Sequence, residues 1–135
     1  GNPRRVTVGL DQNRLSMLLA VLQRHGGIMV GDQDVYVNVV GGIKILETSA
    51  DLALILCVLS SLRNLSLPSD LLVLGEVGLA GEIRPVVNGQ ERMREAEKHG
   101  FRSAIVPVAN NPKKKMNKMR VIPVKKLADA MDVFF

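Results

Sequence analysis

The chain has 135 residues, a length that fits one domain or two compact halves sharing a core. Apolar residues make up 47% and aromatic residues only 3%, so the core must be built from Leu, Val, Ile, Ala and Met. Trp is absent and Tyr36 is the single tyrosine, which excludes a nucleic-acid mode based on stacking bases on aromatic platforms. The net charge of +5 is moderate but unevenly spread. One cysteine, Cys57, excludes an internal disulfide. It reads as a small buried hydrophobe in a reducing, cytoplasmic setting. No signal peptide, membrane helix or lipidation motif is visible. The sequence begins Gly-Asn-Pro without Met, and residues 1–135 read as a single domain of a longer protein.

Arg4 to Leu10 alternates and predicts a strand. Asp11 or Asn13 then caps a helix whose Leu15, Leu18, Leu19 and Leu22 fall at helical spacing. Arg24 and His25 suit its C-terminal dipole, and Gly26-Gly27 stops it. Met29-Val30 reads as a short strand. Asp34 to Val40 reads as a strand with Val35, Val37 and Val39 on one face, broken at Gly41-Gly42 and continued over Ile43 to Leu46.

Ten of the thirteen residues Ala50 to Leu62 are apolar, which predicts a helix apolar nearly all round at the centre of a core. It is too short to span a bilayer. Thr48-Ser49-Ala50-Asp51 at its entry has a capping-box pattern. Ser49 there reads either as a cap or as the place for a nucleophile.

Leu71 to Leu74 predicts a strand, and Gly75 to Val86 a β-hairpin. Its Gly-x-x-Gly-x-x-Gly spacing is no phosphate loop, because an extended segment follows instead of a helix N-terminus. Gly89 to His99 predicts a polar helix with a stripe through Met93 and Ala96, and pairs Glu91 with Arg94 and Glu95 with Lys98 or His99. Phe101 to Pro107 and Arg120 to Val124 predict strands. Lys125 to Phe135 predicts a terminal helix carrying Leu127, Ala128 and Met131. The order is roughly βαβ(β)αβββαββα, an α+β or α/β layering of helices on sheet.

The serine at the mouth of an apolar helix, the hairpin GEVGLAGEIRPV and the following helix with its IVP strand resemble the proteolytic domain of Lon proteases. PRRVTVGLDQNRLSMLLAVLQRH and VYVNVVGGIKILETSADLA are more specifically similar to the C-terminal Lon-like domain of the bacterial RadA (Sms) DNA repair proteins. The resemblance implies a Lon proteolytic-domain-like fold, of the ribosomal protein S5 domain 2-like type, with a mixed sheet and packed helices. Active Lon proteases carry Gly-Pro-Ser-Ala-Gly; the matching positions here are Glu47-Thr48-Ser49-Ala50-Asp51. Counting on from Pro85, the position of the catalytic lysine is taken by Gln90. An amide cannot take the serine proton, and Arg92, two positions on, stays protonated. Lys44 lies on the preceding extended segment, roughly 15 Å or more away. The site therefore reads as degenerate (Ser49, Gln90), with no catalytic residue, no metal ligand and no cofactor in this domain. ATP, magnesium and zinc are expected in the rest of the parent protein.

From Lys113 to Lys126 there are seven basic residues and no acidic one. With the resemblance, this run implies sequence-independent contact to DNA phosphates. The residues expected to make it are Lys113, Lys114, Lys115 and Lys118, with Arg14 and Arg92 as further partners. The implied function is a non-catalytic domain of a RecA-like DNA repair and recombination ATPase, giving DNA binding and hexameric ring assembly. A serine peptidase using Ser49 with an unusual base, and a pure oligomerisation scaffold, are the competing readings.

Overall fold

The structure is a computed structural model, and it describes residues 2–39 and 45–135. Its elements run β1 (Arg5–Val8), α1 (Gln12–Gly26), β2 (Val35–Asn38), α2 (Asp51–Arg63), β3 (Leu71–Val73), β4 (Glu76–Val77), β5 (Ile83–Arg84), α3 (Gly89–Lys98), β6 (Ser103–Pro107), β7 (Arg120–Val124) and α4 (Leu127–Met131). Single 3-10 turns cover Thr48–Ala50 and Val108–Asn110. The expected order of strands and helices is the observed one. Met29-Val30 forms no strand; Val30 is buried and its carbonyl accepts from the Arg5 guanidinium at 2.9 Å, a bond made outside any ladder. The expected continuation through Gly41-Gly42, Ile43 and Lys44 lies outside the described residues.

Three small sheets result. β1 and β2 pair in parallel across α1, a βαβ unit. β3, β6 and β7 form a parallel sheet in the order β3-β6-β7. β4 and β5 form the predicted antiparallel hairpin. The three-stranded sheet is covered on both faces, as parallel sheets require. Ile105, Ile122 and Val124 face a cluster built on Leu15, Leu18 and Leu22 of α1, Leu52, Ile55, Leu56 and Leu59 of α2, and Leu127 and Ala130 of α4. Ala104, Val106 and Val121 face a second cluster, with Met93 and Ala96 of α3 and with Met116 and Met119. Alternation with period two divides each strand between the two cores.

The helix ends follow their sequence signals in part. Asp11 caps α1, its carboxylate accepting from Asn13 N–H at 3.3 Å, and Gly27 closes it in the left-handed region. In α4 the buried positions are Leu127 and Ala130; Ala128 is exposed, because one short turn cannot bury both alanines. Val133, Phe134 and Phe135 pack against the first core.

α2 differs most from its sequence reading. Leu52, Leu54, Ile55, Leu56 and Leu59 are buried, but Cys57, Ser61 and Leu62 are exposed. The helix has one wet face, and Cys57 lies on it rather than in the core. Partial burial still pushes the Cys57 thiol pKa up.

Candidate functional site

At the entry of α2 the expected serine cap does not form. The backbone N–H of Leu52 donates instead to the carbonyl of Gly75 at 3.1 Å, and Gly75 N–H donates back to the carbonyl of Ser49 at 3.0 Å. The strand leading into the hairpin thus satisfies the helix N-terminus from outside. Gly75 must be glycine for this contact. Its φ is +156°, and a Cβ there would stand 2.9 Å from Ile83 Cγ2.

With its backbone held by Gly75, the Ser49 side chain is free for another partner. It is 9% exposed, and its Oγ accepts from Arg92 Nη1 at 3.0 Å. The same guanidinium grips Glu47, Nη1 to Oε1 at 3.0 Å and Nη2 to Oε2 at 3.1 Å. Arg92, then the Ser49 hydroxyl, hold the Glu47 carboxyl below the usual carboxylate range. Beside them Thr48 Oγ1 donates to Glu76 at 2.6 Å, and Glu76 pairs with Arg84 at 3.5 Å. The serine site is a serine–arginine–glutamate cluster.

The side chain that faces the serine is Arg92, and Gln90, the position matched to the family's lysine, stands away from it. Gln90 lies in the first turn of α3 and is exposed, lining a hollow with Arg94 and Lys113 to Lys115. Arg92, two residues further along the helix, is the side chain that reaches Ser49. Residues two apart on a helix face different directions, so the two side chains diverge. The consequence for proton transfer is unchanged. A guanidinium stays charged and donates to the hydroxyl, where a base would have to accept from it.

Arg14 and Arg92, both expected at DNA, have internal partners. Asp51 is 1% exposed. Its Oδ1 accepts from Arg14 Nε at 3.0 Å, its Oδ2 pairs with Arg14 Nη2, and it also accepts the Val77 N–H at 3.0 Å. That network ties α1, α2 and the hairpin together. The hydrogen bond that Arg14 donates to Asp51 raises the Arg14 pKa further. Sequence reading treated Asp51 as a capping-box member and missed its role. The signal was an acid inside an otherwise apolar run.

The four lysines fare differently. Lys113, Lys114, Lys115 and Lys118 are all exposed, and among the described residues none is in an ion pair. They lie on the connection from β6 to β7, which must run back along the sheet because the two strands are parallel. The segment is anchored: Met116 and Met119 pack into the core with Met93, and Lys118 N–H donates to Glu97 Oε2 of α3 at 2.9 Å. Hollows of 550 Å³ and 710 Å³ flank it. No group of three or more His, Cys, Asp or Glu suited to a metal ion occurs among the described residues.

Comparison with known proteins adds the lineage. Residues 7–110 match the family described as subunit ChlI of Mg-chelatase. The chain is 70% identical over 133 residues to DNA repair protein RadA of Salmonella typhimurium, covering 98% of this chain and 29% of that protein. It is 68% identical to DNA repair protein RadA of Escherichia coli over the same shares. Against DNA repair protein RadA of Bacillus subtilis it is 42% identical, over 97% of this chain and 29% of that protein. The chain thus spans less than a third of the length of these relatives, in their C-terminal part. It belongs to the family described as subunit ChlI of Mg-chelatase, and within it corresponds to the C-terminal portion of DNA repair protein RadA.

Proposed function

We propose that this domain is a catalytically silent, Lon-like DNA-contacting element of a longer, RecA-like DNA repair and recombination ATPase. The observation that carries this reading is the anchored β6–β7 connection. It presents four unpaired lysines to solvent while two methionines hold its base in the core. A lysine run on a loose tail would be an ordinary solvated segment. Here the backbone that carries the lysines is anchored to the body of the domain, so placing them on a ligand costs less entropy. Lysine ammonium groups on such a ridge contact phosphate oxygens without reading bases. The names of the relatives, which are DNA repair proteins, support nucleic acid as the partner.

Silence as a peptidase rests on Arg92. The Ser49 hydroxyl has a permanent cation as its neighbour, and the carboxylate beside it, Glu47, is engaged by that same guanidinium and held in its weakly basic charged form. Hexameric ring assembly is the second part of the proposal. It is supported by the outer face of β1 and β2, where Val8 is 58% and Tyr36 62% exposed, an apolar strip suited to a neighbouring protomer. Light scattering of the full-length protein tests this: Val8→Ser/Tyr36→Ser should lower the assembly mass, and an unchanged hexamer would move the contact elsewhere.

The DNA contact is tested on the full-length protein by fluorescence anisotropy with labelled duplex and single-stranded DNA. Lys113→Ala/Lys114→Ala/Lys115→Ala should weaken binding at least about tenfold near physiological salt. Equal affinity of variant and wild type removes this segment from the account.

A further inference from the structure

We infer that the open edge of β2 is a two-fold contact surface, and that its occupant is β2 of a second copy of this chain, lying antiparallel in the groove between β2 and α2. Beside β2 there is a hollow of 850 Å³. Every residue from Gln33 to Val39 lines it, so the strand turns its edge to the hollow; a strand turning one face would contribute alternate residues. The opposite wall is the wet face of α2, with Ala53, Cys57 and Ser61. Among the described residues Asp34 is the one charged group in the lining, so the groove does not attract a phosphate backbone. Its chemistry is that of a strand seat.

The backbone along this edge is unpaired. Val35 N–H donates to the Arg4 carbonyl at 2.8 Å and Val39 N–H to the Val8 carbonyl at 2.9 Å, both toward β1. Successive strand residues bond to opposite sides, so the N–H and C=O groups of Asp34, Tyr36 and Asn38 point away from β1 and into the groove. Among the described residues these groups have no hydrogen-bond partner, and β2 has no second neighbour in its sheet. Open edges are ordinarily blunted by proline, lysine or a bulge. β7, at the edge of the three-stranded sheet, carries Pro123. β2 carries neither proline nor lysine, and its Val-Tyr-Val core has high strand propensity.

The strand's own sequence names the occupant. Asp34-Val35-Tyr36-Val37-Asn38 has the same order of polar, valine, tyrosine, valine and polar residues from either end. Two copies paired antiparallel about Tyr36 set tyrosine against tyrosine, Val35 against Val37 and Asp34 against Asn38. Every outward N–H and C=O then meets its complement, and no like charges face each other. The faces match as well. Val35 and Val37 are half-buried against the first core, and the copy's valines extend that apolar layer over α2. Tyr36 and Asn38 are exposed and stay on the outer face. A slip of one residue would turn the copy's valines to water, so the register is set. The contact is isologous and stands apart from the ring proposed above: it joins two protomers, or two rings, through the strand edge, where the ring contact uses the outer face.

The test is sedimentation equilibrium of the full-length protein over a range of concentrations, with maleimide labelling of the exposed Cys57 read by peptide mass spectrometry. Melting temperatures show that each variant is folded. Wild type should double its mass as concentration rises, and Cys57 should be labelled several-fold more slowly in the doubled form. Asn38→Asp sets a carboxylate against the partner's Asp34 at each end of the paired strands. It should weaken pairing at least about fivefold, and more so at low salt. Asn38→Lys faces the same carboxylate with a cation and should pair at least as well as wild type. A wild-type mass that does not double, unchanged pairing in Asn38→Asp, or equal weakening in both variants overturns the inference. Protection of Cys57 that is the same at every concentration means that another segment of the same protein fills the groove, and overturns it too.

Discussion

A hydroxyl is only as nucleophilic as its neighbour allows, and the neighbour of Ser49 is Arg92 at 3.0 Å. The guanidinium also clasps Glu47, so the carboxylate that could have served as an alternative base is itself neutralised. Fluorogenic peptides should therefore be turned over no faster by wild type than by Ser49→Ala; turnover that disappears on that substitution contradicts the account. The cluster has a pH signature as well. Glu47 titrates below the ordinary glutamate value of 4.5 because Arg92 favours its charged form. With the folded-state value depressed, its contribution to stability is present above about pH 4.5 and is lost as pH falls through the depressed value. Side-chain NMR of Glu47 should show that value rising to the ordinary range in Arg92→Ala. A titration identical in the variant would mean that the ion pair does not form in solution.

Between elements, Asp51 is the joint. It begins α2, holds Arg14 of α1 and accepts from Val77 of the hairpin. Asp51→Ala leaves a buried N–H and a half-buried guanidinium without partners and should cost about 3–5 kcal/mol, read by chemical denaturation. A loss under about 1 kcal/mol would show that water replaces the carboxylate. Much of this level was legible in advance. The leucine spacing of α1, the Met93–Ala96 stripe of α3 and the Gly75–Val86 hairpin each follow from a local rule, and each stands where that rule puts it. What sequence could not supply was phase and partner. Gln90 and Arg92 stand two residues apart near the start of α3, and only the rotation of that helix decides which of them meets Ser49. Cys57 sits in an apolar run, and only the packing of α2 against one side leaves it on the wet face. Arg14 reads as surface charge until Asp51, thirty-seven residues away, is brought to it.

Over the whole molecule, the two cores divide the work. One, built on α1, α2 and α4, secures the fold around the serine site. The other, with Met93, Met116 and Met119, secures the lysine segment against α3 and the sheet. The surface with free positive charge therefore belongs to the second core, apart from the Ser49 cluster, whose charges are paired. A DNA contact made this way is electrostatic and carries a defined salt dependence. The most direct test is the slope of log K against log salt for duplex DNA, measured on the full-length protein with and without Lys113, Lys114 and Lys115. The account predicts that replacing the three by alanine makes the slope shallower by about 3, since each phosphate contact contributes about 0.9. Identical slopes for the two proteins would contradict it.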